Sequence, residues 1–274
     1  MKKWMYNVLI TVFALVFLGS AIFLADYLLK SNKAANNYDS LQQIKDETPT
    51  TPRPTISGDG TVVQPETPPA LVEVTDPETG KTIQLLPEFK DLYLQNNDII
   101  GWMKIPGTDI NYPVMQTPEN SSFYLKHNFE KQESKHGCLY AQGNCDVVTP
   151  SGNIVIYGHR MRDRSMFAQL DKFEKKSFWE ENPYIYFDTL TELHTYKIMS
   201  VFVTVATEGQ GFPYHNYVAL QDEETFNTFV KACKGYSLFD TGVEAQYGDC
   251  FITLSTCEYT NPNGRLVVVA KRIA

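Results

Sequence analysis

The chain has 274 residues, 43% of them apolar and 20% charged, with a net charge of −8 at neutral pH. That length holds one substantial domain with appendages, and that apolar share is enough for a packed core. The acidic balance lacks the basic footprint of a nucleic-acid-binding protein. Five cysteines without a CxxC pair, and five histidines (His127, His136, His159, His194, His215) without ligand spacing, give no metal signature, so no metal or cofactor is expected.

The chain begins with Lys2 and Lys3, then an apolar run from Val8 to Ala25 broken only by Thr11, Gly19 and Ser20. With its flanking aromatic and leucine residues the run reaches the roughly 20 residues that cross a bilayer. It exceeds the h-region of a cleaved signal peptide, and no small-x-small cleavage site follows closely. We therefore expect residues 1–30 to be a single-pass anchor that leaves the bulk of the chain outside the cell membrane. Residues 31–80 hold seven of the fifteen prolines, between Pro49 and Pro77, among Thr, Glu, Asp and Gly. Such a stretch buries too little to offset its ordering entropy and reads as an extended tether.

Composition changes near Lys81, where a folded domain over 81–274 is expected. Leu86, Phe89 and Tyr93 recur at helical spacing, with Pro87 suited to a first turn. Strands are predicted over 99–105 and 110–115, joined by Pro106-Gly107-Thr108, then a helical turn at Phe123-Tyr124-Leu125 and strands over 137–142 and 153–158. Two helices follow. The first covers 163–173, with Asp163 as its expected cap, and the second is anchored by Phe178 and Trp179. After strands at 184–187 and 196–206, Phe226, Phe229, Val230 and Cys233 mark an amphipathic helix that starts at Asp222. Strands over 250–254 and 266–269 close the chain. Many short strands with a few inserted helices point to a mainly β protein, a barrel with helical excursions.

The chemistry gathers at three places: Tyr157-Gly158-His159 at the end of a β-branched run, Cys257 at the end of Thr253-Leu254-Ser255-Thr256, and Arg265 at the start of the last strand. A thiolate is the nucleophile that a thiol is not, and a histidine within reach both favours it and protonates a leaving amine. Arginine brings a permanent charge and a planar fork of donors to a developing oxyanion. Each residue taken alone has an ordinary structural reading, since cysteine is among the most buried residue types. Cys138, Cys145, Cys233 and Cys250 read as core, with a bridge between Cys138 and Cys145 left open because connectivity is not legible in sequence.

Tyr157-Gly158-His159 followed by Met161, Asp163, Ser165, Met166 and Phe167, then Thr253 to Cys257 and Arg265, resembles the sortases, specifically class B. Gly101-Trp102-Met103-Lys104-Ile105, Tyr112-Pro113-Val114 and Tyr124-Leu125 resemble that family's first strands, so the likeness runs from about Leu86 to the C-terminus. It implies an eight-stranded β-barrel with N-terminal helices and a helix inserted before the cysteine strand. It also implies a cysteine transpeptidase on the surface of a Gram-positive cell, acting on secreted proteins that bear a C-terminal sorting signal. Cys257 would attack the threonine carbonyl of the signal, His159 would protonate the leaving amine, and Arg265 would stabilise the oxyanion. The acyl group would pass to an amine of the peptidoglycan cross-bridge, without a preformed thiolate–imidazolium pair. Tyr157, Ser255 and Glu258 would touch substrate.

Met161-Arg162-Asp163-Arg164 is more basic than the Asn-Met-x-Asp-Gly pattern expected there, which leaves the recognition sequence open. Three other readings stand beside this one: a pilin polymerase using a lysine amine, a Cys/His cell-wall peptidase, and a tethered binding module. The order His, Cys, Arg, with the cysteine after a strand, differs from the papain-like arrangement, where the cysteine comes first and sits on a helix.

Overall fold

The apolar and alternating runs after residue 98 become eight strands in the computed structural model, which describes residues 3–48, 51–57, 61–65, 69–76, 78–148 and 152–274. They are β1 (Ile99–Lys104), β2 (Asn111–Met115), β3 (Leu139–Ala141), β4 (Asn153–Tyr157), β5 (Tyr184–Thr189), β6 (Leu193–Val205), β7 (Phe251–Glu258) and β8 (Gly264–Arg272). They close into a barrel in the order β6-β8-β7-β4-β3-β2-β1-β5, with β5 returning to β6. Pairs β2/β3 and β4/β7 are parallel and the rest antiparallel. Closure leaves the barrel itself without a free edge. The expected eight-stranded barrel is therefore present.

The chain forms two compact units, Met1–Ser40 and Leu41–Ala274. Helix α1 (Lys3–Glu47) contains the apolar run, and is long and apolar enough to cross a membrane. Trp4, Phe13, Phe17, Phe23 and Leu29 all stand more than half exposed along it.

Residues 31–80 differ from the extended tether expected. Helix α1 continues to Glu47, and within the second unit Gln42 donates to the Asn111 carbonyl at 2.8 Å. Thr55–Ile56 pairs with Val62–Val63, and Val72–Thr75 with Thr82–Leu85. Arg53 spans both oxygens of Asp188 at 2.6 Å, donates to the His194 carbonyl at 3.2 Å and lies 4.4 Å over the Tyr186 ring. Asp76 accepts from the backbone of Glu78 and Thr79 and from the Tyr93 hydroxyl. Apolar composition misses this order because an ion pair and hydrogen bonds hold much of the segment to the barrel, with few buried apolar residues (Leu41 and Val74 among them) beside them.

Pro87–Phe89 forms a 3₁₀ turn leading into α2 (Lys90–Gln95), and α3 (Lys176–Glu181) carries Phe178 and Trp179. Helix α4 (Glu223–Tyr236) is capped by Asp222, whose carboxylate accepts from the Thr225 N–H at 2.7 Å. Phe226 and Phe229 of α4 meet Phe251 of β7 at 5.5 and 5.4 Å. The side of β7 bearing Phe251 is therefore the outer face of the barrel. The region 163–173 departs from prediction. Its helix is 3₁₀, over Phe167–Glu174, and Asp163 does not cap it. The Asp163 carboxylate instead takes the Ser165 N–H and hydroxyl and pairs with His136. Cys138, Cys145 and Cys233 are buried, and no disulfide joins Cys138 to Cys145.

Asp188 is 3% exposed, and burial raises its pKa despite the lowering effect of Arg53. A carboxyl whose folded-state pKa lies above its unfolded value contributes stability at low pH and loses it as pH rises through the folded value. Arg53→Ala strands this carboxylate, and should destabilise the fold by about 3 kcal/mol at neutral pH. The loss should shrink in acid, where Asp188 takes up a proton. Thermal unfolding of wild type and variant across pH 4–8 checks this, and a loss independent of pH would contradict it.

Candidate active site

The site is assembled by the register of three neighbouring strands. In β7 and β8, Cys257 lies opposite Arg265 and Ser255 opposite Val267. In the parallel pair β4/β7, Ser255 lies opposite Tyr157, and across β3/β4 Tyr157 lies opposite Tyr140. Directly paired residues share a face, and their Cβ atoms are about 5 Å apart. Tyr140, Tyr157 and Ser255 thus form a row on the outer face. Cys257 and Arg265 stand in the next row, two residues nearer the strand end.

The floor of this groove is polar yet nearly dry. Ser255 is 1% exposed, and its hydroxyl lies 2.6 Å from that of Tyr214, in the loop between β6 and α4. The Tyr157 hydroxyl donates to Gln142 Oε1 at 2.6 Å, and the Tyr140 and Tyr157 rings lie 5.4 Å apart. Burial pushes the Tyr140 phenol up to about 12 against the pull of the Arg265 guanidinium, and likewise raises Tyr157 and Tyr214. All three phenols remain neutral hydrogen-bonding groups at neutral pH.

Above this floor, Cys257 and Arg265 are partly exposed. The Arg265 guanidinium donates to the carbonyls of Gly264 at 2.9 Å and Asn263 at 3.3 Å. No carboxylate pairs with it among the described residues. Its charge is therefore available to an incoming anion. Cys257 is the thiol that reaches this groove: burial holds Cys145 protonated with a pKa of about 11 and also raises Cys233.

His159 arrives on the residue pair after β4. The Gly158 N–H donates to the Ser255 carbonyl at 3.2 Å, and the Thr256 hydroxyl to the Gly158 carbonyl at 2.8 Å, so the histidine's approach is tied to β7. A Cβ on Gly158 would come within 2.5 Å of Leu139 and 2.7 Å of Phe167, a closeness that only glycine accepts. Beyond His159 the loop folds back, with Arg160 bridging to Met166 and the Phe167 N–H donating to the His159 carbonyl at 2.9 Å. Arg164 and Met166 hold φ of 69° and 55°, left-handed values that non-glycine residues seldom adopt. The imidazole Nε2 lies 2.7 Å from the Leu125 carbonyl oxygen. Among the described residues neither the Cys257 thiol nor His159 Nδ1 makes a hydrogen bond, so the two are not hydrogen-bonded to each other.

The structure places the six residues singled out in the sequence differently. Cys257, Arg265 and the His159 loop converge on one end of the β4-β7-β8 ladder. Tyr157 and Ser255 lie beneath them, Ser255 closed off by Tyr214. Glu258, next along β7, points to the opposite face. Its carboxylate accepts from the Thr260 N–H at 2.9 and 3.0 Å and from the Thr260 hydroxyl at 2.6 Å. Burial opposes its ionisation, but these hydrogen bonds prevail and its pKa is lowered. Tyr214, Tyr140 and the Leu125 carbonyl were not singled out: a tyrosine on a long loop and a main-chain carbonyl have no sequence motif of their own.

A sortase-domain family model matches residues 103–273. Sortase B of Staphylococcus aureus is 31% identical over 191 residues, covering 68% of this chain and 75% of that protein. Sortase B of Listeria monocytogenes is 30% identical over 190 residues, covering 68% and 74%. A solved complex of Staphylococcus aureus sortase B with substrate superposes with a TM-score of 0.69 at 26% identity, covering 89% of this chain and 98% of that one. The match spans β2 to β8 and the loops that carry histidine, cysteine and arginine, and the chain belongs to the sortase family of cysteine transpeptidases, in its class B.

Proposed function

We propose that this chain cleaves a C-terminal sorting signal after threonine and transfers the protein so released to an amine of the peptidoglycan cross-bridge. The observation that supports this reading best is the pairing of Cys257 with Arg265 on a half-open outer face, with the His159 loop tied to the same strand end. Cys257 is the nucleophile. As its sulfur attacks the threonine carbonyl, the thiol proton passes to His159 and negative charge grows on the carbonyl oxygen. Arg265, already held by two turn carbonyls and free of a carboxylate, stabilises that charge with little reorganisation.

Collapse of the tetrahedral intermediate breaks the C–N bond, and His159 gives its proton to the leaving amine. A thioester remains on Cys257. An incoming amine then attacks it and loses a proton to His159, which passes that proton to the departing Cys257 sulfur as the C–S bond breaks. Tyr157 and Ser255 shape the floor on which the signal lies, Ser255 through the Tyr214 hydroxyl. The Glu258 side chain faces away from the groove and contributes to the turn before β8. We further propose that the helix within residues 1–30 anchors the protein in the cell membrane with the catalytic unit outside.

The assay uses the full chain in detergent, sorting-signal peptides and a panel of amines. Ligated product is expected. Cys257→Ala and His159→Ala should each lose turnover by about 10³-fold or more. Arg265→Lys should lose about 10- to 100-fold, because it keeps the charge without the fork. Full activity in either alanine variant would overturn the mechanism. Hydrolysis indifferent to every amine would indicate a peptidase, and product with protein lysine alone would indicate a pilin polymerase.

Tyr214→Phe leaves the Ser255 hydroxyl buried without its partner and should cost about 1–3 kcal/mol in stability. Adding Ser255→Ala should recover part of that loss. A double-mutant cycle on denaturant unfolding reads the coupling, and strictly additive losses would show the two hydroxyls to be independent.

A further inference from the structure

A nucleophile–histidine pair needs a third group to set the ring's orientation and tautomer, commonly a carboxylate. No carboxylate hydrogen-bonds His159 among the described residues. Two carboxylates of the site's loops, Asp163 and Glu258, are engaged elsewhere. Asp163 lies against His136 Nε2 at 2.8 Å and takes the Ser165 N–H and hydroxyl, and Glu258 is occupied by Thr260. The group that does meet the ring is the Leu125 main-chain carbonyl, 2.7 Å from Nε2.

A carbonyl oxygen only accepts, so Nε2 must carry a proton in this contact whether the ring is neutral or charged. The exchangeable proton then belongs to Nδ1. We propose that the Leu125 carbonyl is the orienting group of His159, and that Nδ1 is the nitrogen that exchanges a proton with the Cys257 thiol and the leaving amine. This rests on the acyl-transfer reading above, and it specifies which ring nitrogen does the work.

The surroundings of Leu125 are built to hold that carbonyl. The preceding residue, Tyr124, is fully buried. Its hydroxyl donates to Asp98 at 2.7 Å and accepts from Asn96 at 2.8 Å, and Lys131 lies 3.1 Å from the same Asp98. Asn96 also donates to the Phe129 carbonyl at 2.6 Å. The Tyr124 carbonyl accepts from the Cys138 N–H at 2.9 Å, joining the 3₁₀ turn Phe123–Leu125 to the start of β3. Gly137, at φ 58°, lies so close beneath that an added Cβ would come within 2.5 Å of the Tyr124 oxygen and 2.7 Å of the Leu125 oxygen. A buried phenol, a main-chain bond and a glycine contact thus position one carbonyl, and the carbonyl positions the ring. Being neutral, it orients the imidazole without setting a full negative charge beside it.

The direct test is the tautomer itself. The full chain, labelled with ¹⁵N-histidine and held in detergent micelles, is examined by long-range ¹H–¹⁵N correlation, with His159 assigned by its loss in His159→Gln. A neutral ring protonated at Nε2, with Nδ1 as the nitrogen that titrates, is expected. A ring protonated at Nδ1, or one exchanging between both forms, overturns the proposal and leaves the roles of Cys257 and Arg265 standing.

Gly137→Ala and the milder Tyr124→Phe supply the functional arm. Each should lower kcat by about 10- to 100-fold, with KM changed less than about 2-fold and with mixed tautomers appearing at His159. Mixed tautomers with an unchanged kcat would show that the carbonyl does not serve catalysis.

Discussion

Everything at this site depends on the register of β7 between its two neighbours. The ladder is antiparallel to β8 and parallel to β4, and it sets Cys257 against Arg265 while bringing Tyr157 level with Ser255. Side chains alternate along a strand, so a slip of one residue would turn Cys257 into the barrel and present Thr256 or Glu258 instead. The apolar partners make that slip costly. Ile252, Leu254 and Ala270 are completely buried on one face, and Phe251 is equally buried under α4 on the other. The placement of Cys257 is therefore secured by packing some distance from it.

The charges follow a similar division. Among the described residues Arg265 has carbonyl partners and no carboxylate, Asp163 and Glu258 are turned to other donors, and the phenols beneath are kept neutral by burial. An anion forming above Cys257 would meet one uncompensated cation over a floor of dipoles. Preorganised donors in a site with little water stabilise such charge more than the same groups would in solution. The basic character of the 160–164 loop adds less than its composition suggests. Arg160 and Arg164 share Asp171, at 3.2 and 2.5 Å, so that carboxylate offsets one of their two charges.

Much of this was legible in the sequence, for physical reasons that differ by element. β-Branched runs with period-two alternation located the strands, and acids ahead of an i, i+3, i+4, i+7 stripe located α4 and its cap. His159, Cys257 and Arg265 stood out only through their shared motif context. Missed features depend on contacts distant in sequence or on the backbone. Asp163 resembled a helix cap, yet its partner is His136, 27 residues away. Ser255 read as a substrate contact, whereas Tyr214, on a loop 41 residues upstream, closes over it. Glu258 also read as a substrate contact, whereas adjacent strand residues face opposite ways and its carboxylate is taken up by Thr260.

The proline-rich stretch shows how far composition can mislead about a boundary. Judged by apolar content it begins as a tether and ends at residue 80, with the domain following. Yet the carboxylate of Asp188, deep in β5, finds its guanidinium at Arg53, and Glu88 takes the Thr51 N–H and hydroxyl at 3.4 and 3.2 Å. These acids lie inside the expected domain, and their partners lie outside it. Cutting the chain at residue 81 would leave a buried carboxylate without its counter-charge, a defect that packing cannot repair. The thermodynamic unit is therefore set by where the charges are paired, which places its start upstream of the first strand of the barrel and within the segment that composition assigns to the linker.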